Sequence, residues 1–410
     1  MARIVVSGYM IRHPVPGNML AYFHYILGLH RLGHDVVYVE ESGWPRSCYN
    51  TSTWACSDDP AHGLQVVRNL FTGFGMTVPI CFVNRDSREI RGLDWPELKD
   101  AFRQADLLLN VGGVCWLPEF RLCRRRVLVD MDPFFTQTGK IGVEGFGEYH
   151  AYFSYGANIG RRGCTIPTNG IDWRPTVPPV VPEIWSSEHI QKNLQSMDDF
   201  CDRPFTTIAN WNAYGGINHG GEYYGQKDEE FLRLLELPRY TSQRLELAIS
   251  GSNGKNTERF RSTGWLIRSA AEVSIDVPTY QNYIINSRGE FSAAKHAYVK
   301  THSGWFSDRS VCYMSAGLPV ILQDTGFSDW LPTGMGVLAF ASLEEAVQCI
   351  EKVNADYSKH SRAAREIAEN TFNFKEVLPR LVELGLRAKS ILDGRSLESQ
   401  GSRQLDTYNE

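Results

Sequence analysis

The chain has 410 residues, 42% hydrophobic and 22% charged, with 42 Lys and Arg against 47 Asp and Glu and a formal charge of −5. At about 150 residues per domain this length gives two or three domains, each large enough to bury its own core. The acidic balance and the lack of Lys/Arg blocks exclude a phosphate-backbone footprint, and no segment approaches the roughly 20 apolar residues of a membrane span, so a cytoplasmic protein with no nucleic-acid partner and no stable membrane insertion is expected.

Residues 3–7 read as a buried strand that ends at Gly8. A loop containing Pro14, Pro16 and Gly17 leads to a helix with Asn18 as the expected N-cap, Leu20, Phe23 and Leu27 on one face, and Gly33 as its stop. A second strand begins at Asp35, which makes a βαβ unit. Helices near 63–74 and 95–104 then alternate with strands near 78–84, 106–112, 126–132 and 151–155.

Pro167, Pro175, Pro178, Pro179 and Pro182 suit neither a helix interior nor a central strand. We place a linker at 171–187 between a first domain, 1–170, and a second, 188–392, with a disordered polar tail at 393–410. In the second domain, strands are expected at 205–209, 245–249, 297–300 and 319–322, and helices at 227–236, near 290–297, at 308–316 and at 343–353. The fold class is α/β, with two Rossmann-like, doubly wound halves. Nine scattered cysteines without a C-x-x-C pair read as buried thiols rather than disulfides or a zinc site.

The most informative stretch runs from Ser303 to Gly326. A polar loop enters a helix at Ser307, Asp308 and Arg309; a tight turn and an apolar strand follow, and then Asp324, Thr325 and Gly326. Free N–H groups and the positive dipole end make such a helix start receptive to an anion. A planar guanidinium at Arg309 suits a diphosphate.

From about 303 to 384 the chain resembles the C-terminal half of GT-B glycosyltransferases of the retaining, glycogen-synthase-like type. Those enzymes often read E-A-M-A-C-G-L-P-V-V-A-T-D-x-G-G where this chain has Cys312-Tyr-Met-Ser-Ala-Gly-Leu-Pro-Val-Ile-Leu-Gln-Asp-Thr-Gly-Phe327, and Gly334-Met-Gly-Val-Leu338 and Leu343-Glu-Glu-Ala346 match their next turn and helix. The resemblance implies two domains facing a cleft, with a nucleotide-diphosphate sugar as co-substrate on the second, and no further cofactor. The carboxylates of the family's E-x7-E pattern fall here at Gly304 and Cys312, with Asp308 as the nearest replacement. Lys227 corresponds in position to the basic residue that follows the first strand of the family's C-terminal domain, and Glu290 and Lys295 complete the expected donor site.

Three further constellations carry chemistry. Glycines 215, 216, 220, 221 and 225 precede Lys227 and allow close backbone approach to a phosphate, or simply form a surface loop. The loop after the first strand places Arg12 and His13 at the carboxyl end of a parallel sheet, where ligands bind; His13 is a candidate general base or substrate ligand. Arg12, Glu41 and Trp44 are expected at the acceptor, with Tyr49, Trp211 and Asn212 as weaker aromatic and polar signals. Asp130 and Asp132 share one strand face, and Asp132, at the strand end before Pro133, is the second catalytic candidate. No metal is expected.

The expected activity is transfer of a sugar from a nucleotide-diphosphate sugar to a hydroxyl-bearing small molecule, such as a secondary metabolite. An epimerase would instead act on the donor alone, and a non-catalytic binding protein would bind nucleotide without turnover.

Overall fold

A computed structural model describes residues 1–139, 146–185 and 202–388; the expected tail lies outside them. The first half runs β1 (Arg3–Ser7), α1 (Pro16–Arg31), β2 (Asp35–Glu41), a hairpin of β3 (Cys48–Asn50) and β4 (Ala55–Ser57), α2 (Ala61–Gly73), β5 (Ile80–Val83), β6 (Ile90–Gly92), α3 (Trp95–Gln104), β7 (Leu107–Val111), β8 (Arg126–Asp130), β9 (Ala151–Ser154) and β10 (Trp173–Pro175). Among the described residues these strands, β3 and β4 apart, form an eight-stranded sheet in the order β10-β9-β8-β7-β1-β2-β5-β6. All its pairs are parallel except β5–β6. Ile4, Val5 and Val6 are inaccessible to solvent on both faces of β1 because helices cover both sides of the sheet.

Helix α1 starts at Pro16, whose fixed φ suits a first turn, so Val15 rather than Asn18 is its N-cap. Asn18 lies inside that turn and donates from Nδ2 to the carbonyls of Tyr9 (2.6 Å) and His13 (2.8 Å), which closes the preceding loop.

The second half runs β11 (Phe205–Asn210), a hairpin of β12 (Ile217–His219) and β13 (Glu222–Tyr224), α4 (Lys227–Arg233), β14 (Leu245–Ser250), α5 (Gly254–Ser262), β15 (Leu266–Ser269), α6 (Ala270–Val273), α7 (Val277–Ile285), β16 (Gly289–Ser292), α8 (His296–Lys300), α9 (Asp308–Ser315), β17 (Val320–Gln323), β18 (Val337–Phe340), α10 (Leu343–Ala355), α11 (Tyr357–Ile367) and α12 (Phe374–Arg387). Its six-stranded sheet, β15-β14-β11-β16-β17-β18, is parallel throughout. Relative to β11 the order is 3-2-1-4-5-6, that of a dinucleotide-type α/β fold.

Two expectations exchange places. Residues 289–292 are a strand and 296–300 a helix, the reverse of the reading from periodicity. The strand was hidden because Glu290 sits within it, fully buried, its charge compensated by Arg309 from α9.

The first sheet reaches into the expected linker, since β10 pairs with β9. Beyond it, Val180 donates to the carbonyl of Phe372 (2.7 Å) and accepts from the N–H of Phe374 (2.8 Å). Helix α12 then returns to the first domain, where Gly28 of α1 admits Leu378 so closely that an added Cβ would stand 2.6 Å from its Cδ1. Of the cysteines expected to be buried, Cys56 is exposed on β4.

Candidate active site

In open parallel sheets, ligands sit beyond the carboxyl ends of the strands, where the strand order reverses. Those points are β1/β7 in the first sheet and β11/β16 in the second. The loop after β1 and the ends of β11 and β14 meet at one cleft of about 960 Å³. His13, Asn18, Tyr49, Thr51 and Trp54 form its first-domain wall; Asn210, Ser250, Gly251, Ser252, Arg261, Arg268 and Ser269 line the opposite one. The second wall was missed in the sequence, although polar residues at the ends of the apolar strands β11 and β14 were the available signal.

The His13 ring is half-buried between Tyr9 and Tyr49, with ring centroids 5.8 Å and 5.4 Å away. Burial lowers its pKa, which leaves the imidazole neutral at neutral pH. Its neighbour Arg12, expected to touch the acceptor, is instead inaccessible to solvent. Arg12 donates to Glu40 (3.3 Å) and to the carbonyls of Ser42 (3.2 Å) and Val114 (2.9 Å). Glu40 also receives the backbone N–H groups of Ile11 and Arg12, each at 2.7 Å, so this buried pair shapes the loop that presents His13. Glu41 is likewise turned inward and receives the N–H of Trp116 at 2.7 Å. Both corrections trace to the end of β2, which is covered on both faces: its buried Glu40 and Glu41 turn inward and organise backbone, and Glu40 draws Arg12 in with it. Trp44 does remain exposed, its ring 6.1 Å from that of Tyr9.

Around α9, the charges of Glu290, Asp308 and Arg309 all act on the ammonium of Lys227. Arg309 is not held out toward a ligand. Its Nε donates to Glu290 (2.6 Å), Nη1 to the carbonyl of Ile208 (2.7 Å) and Nη2 to Ser292 (2.9 Å), which ties α9 to β11 and β16. Burial opposes its charge, Glu290 is the main influence that favours it through both charge and hydrogen bond, and the net effect raises the pKa of the guanidinium. Ser307 is the N-cap of α9 and is buried, without a side-chain cap bond. Burial raises the pKa of Asp308. Lys227, at the start of α4, has no hydrogen bond or ion pair with the described residues; burial, then the charge of Arg309, pushes its ammonium well below the ordinary lysine value.

Of the remaining candidates, Asp132, Lys295 and Gly326 hold the two domains together and the others brace their own domain. Asp132 receives Lys295 Nζ at 2.8 and 2.7 Å and also the hydroxyls of Tyr214 and Tyr298, all three from the second domain. A carboxylate so engaged is not available as a general base in this arrangement. Asp130 is buried and receives Thr136, Gln137 and Ser154. Asp324 receives the N–H of Gly326 (2.8 Å) and braces its own turn, while Thr325 donates to the carbonyl of Trp305 (2.6 Å). Gly326 has φ 89° and its carbonyl receives Asn158 Nδ2 at 3.0 Å from the first domain. Gly304, with φ 74°, lies against the same asparagine, and a Cβ there would stand 2.8 Å from Asn158 Cγ. The two positions at which the resembled family has carboxylates are therefore a packed glycine and the buried Cys312. Trp211 is core, stacked on Phe231, and Asn212 donates to Asp228 at 3.0 Å. Among the described residues no three His, Cys, Asp or Glu side chains are grouped so as to hold a metal ion.

No protein-family model and no curated protein sequence matches the chain. Solved structures do match over nearly its whole length. AviGT4, a glycosyltransferase involved in avilamycin A biosynthesis, is 13% identical with a TM-score of 0.54, over 96% of this chain and 99% of that one. HepE from Anabaena, solved with UDP and glucose, is 11% identical with a TM-score of 0.54, over 93% and 99%. An α-glucosyltransferase solved with UDP-glucose and DNA containing an abasic site is 8% identical with a TM-score of 0.55, over 93% and 98%. The chain has the GT-B fold: two Rossmann-like domains facing a cleft. No described helix is long and apolar enough to cross a membrane.

Proposed function

We propose that the chain transfers a sugar from a nucleotide-diphosphate sugar to the hydroxyl of a small-molecule acceptor, with inversion at the anomeric carbon and without a bound metal. The observation that carries this reading is the single cleft onto which the loop after β1 and the ends of β11 and β14 both open, with a neutral imidazole on one wall and hydroxyls and arginines on the other. His13 takes the proton from the acceptor hydroxyl as its oxygen attacks C1, and the C1–O bond to the diphosphate breaks with its electron pair leaving on phosphate. Lys227 does not itself line the cleft but lies near Arg309, whose Nη1 meets the carbonyl of Ile208 on the second-domain wall, and its ammonium is the cation assigned to the charge that develops there.

Inversion is favoured over retention because glycine and a buried cysteine stand at the two positions where the resembled family has carboxylates, while the imidazole of His13 lies on the cleft wall of the first domain. The formal charge of −5 favours a small acceptor over nucleic acid. Incubation with a panel of nucleotide sugars and hydroxyl acceptors, followed by product NMR, tests the reading. An acceptor-dependent glycoside of inverted configuration is expected. Epimerised donor without acceptor, or donor binding without turnover across the panel, would overturn it.

A further inference from the structure

The first-domain wall of the cleft is built from rings. Tyr49 and Trp54 line it beside His13, and Tyr9 and the exposed Trp44 continue the surface outward. Tyr49 lies on β3 and Trp54 in the turn that joins β3 to β4, so one short hairpin overhangs the cleft. That hairpin is firmly held. Tyr49 donates its N–H to the carbonyl of Arg12 at 2.7 Å, Asn50 Oδ1 receives the N–H of Ser52 at 2.9 Å, and the Thr51 hydroxyl lies 2.9 Å from His62 Nε2 of α2. Trp54 has φ 61° in the left-handed region, which a bulky side chain rarely adopts, and the residue is 67% exposed. A rigid turn holding a large apolar ring in water is a binding feature more than a packing one.

The charges lie on the other side. Arg261 and Arg268 belong to the second-domain wall, whereas among the described lining residues the first-domain wall has no Lys, Arg, Asp or Glu. An anionic acceptor would find no countercharge there, and a flat ring would find stacking partners next to a neutral base. Resting on the transferase reading above, we infer that the acceptor is an uncharged ring compound, which presents a flat apolar face to Trp54 and Tyr49 and a hydroxyl to His13.

The test is calorimetric titration of the full chain with 4-nitrophenyl β-glucopyranoside as a neutral ring probe and glucose 6-phosphate as an anionic one. The neutral probe is expected to bind and the anionic one to bind at least tenfold more weakly. Trp54→Ala should weaken the neutral probe about tenfold and Trp54→Phe less than threefold, with nucleoside-diphosphate affinity unchanged in both. Titration with methyl β-glucopyranoside and with phenol, both uncharged at neutral pH, separates a sugar face from an aryl face as the stacked group. Equal affinity in Trp54→Ala, or tighter binding of glucose 6-phosphate, would overturn the inference. Nucleoside-diphosphate binding without any neutral-ring binding would overturn it while leaving the transferase reading intact; absence of nucleoside-diphosphate binding from the wild-type chain would count against that reading itself.

Discussion

Asp132 and Lys295 join the two domains through an ion pair 2.7 Å long, with side chains only 21% and 13% exposed. Burial lowers the Lys295 pKa, and Asp132 is the main influence that opposes this. Tyr214 and Tyr298 complete the carboxylate's shell, while Phe135 lies beneath the ammonium with its ring centroid 5.0 Å away. The pair fixes how the walls of the cleft face each other.

Replacing Asp132 with Ala should therefore act on stability as well as on turnover. It leaves a largely buried ammonium without its partner, a loss of about 2–4 kcal/mol, slightly below the range for wholly buried pairs because some solvent reaches the site. Urea denaturation measures this directly. Lys295→Met added to Asp132→Ala should recover part of the loss, and unchanged stability in Asp132→Ala would remove the latch from the account.

Arg309→Ala should unfold more easily in the absence of any nucleotide. Glu290 would be left buried without its cation, and about 3–5 kcal/mol is expected from such a break. Arg309→Lys should rescue little, since one ammonium cannot span Glu290, Ile208 and Ser292 as the planar fork does. Chemical denaturation of both variants without ligand is the check.

Lys227→Met should show the opposite pattern, weakening nucleoside diphosphate by about 1.5–3 kcal/mol while leaving the fold intact. Because its folded pKa lies below that of the unfolded chain, the unfolded state binds more protons between the two values, and stability rises with pH across that window. The variant should lose this slope. Diphosphate affinity should fall as pH rises through the lowered pKa, because the neutral amine no longer meets the phosphate. Calorimetry across a pH series measures the affinity, and denaturation across the same series measures the slope.

His24 sets the acid limb of stability. Its Nδ1 faces the N–H of Val181 at 3.1 Å, Trp185 Nε1 lies 3.4 Å from its other ring nitrogen, and burial pushes its pKa down to about 3. The unfolded chain takes up a proton near pH 6.5. Between that value and about 3 the unfolded state binds more protons, so stability is lost as pH falls, by a few kcal/mol in all. Replacement by Gln, which cannot be protonated, should flatten this limb in an acid titration of urea midpoints.

The alternation of short apolar runs with amphipathic stretches was sufficient to read both halves as doubly wound sheets, because parallel strands covered on both sides leave that pattern. The segment 254–285 was passed over: α5 ends in Arg259 and Arg261 on a mostly polar surface, and β15 is short and only partly covered. The site was harder to read for a different reason. Arg12, Glu41, Asp132 and Arg309 are charged residues at strand ends or helix starts, as ligand-binding residues are, but each is bonded to another part of the protein. A linear sequence gives the residue type and its place in an element, not whether a partner from elsewhere in the fold already occupies it. His13 differs in that the loop folding around Glu40 leaves its ring at the cleft.

Thermal denaturation of the wild-type chain and Lys227→Met across a panel of nucleoside diphosphates tests the assignment of the cleft most directly. At about one hundred times its Kd, a ligand specific for the native state adds about 2.7 kcal/mol. One diphosphate should raise the melting temperature of the wild type by several degrees, and the variant should need at least tenfold more of it for the same rise. No shift with any diphosphate at millimolar concentration, or the same shift in both proteins, would contradict the assignment.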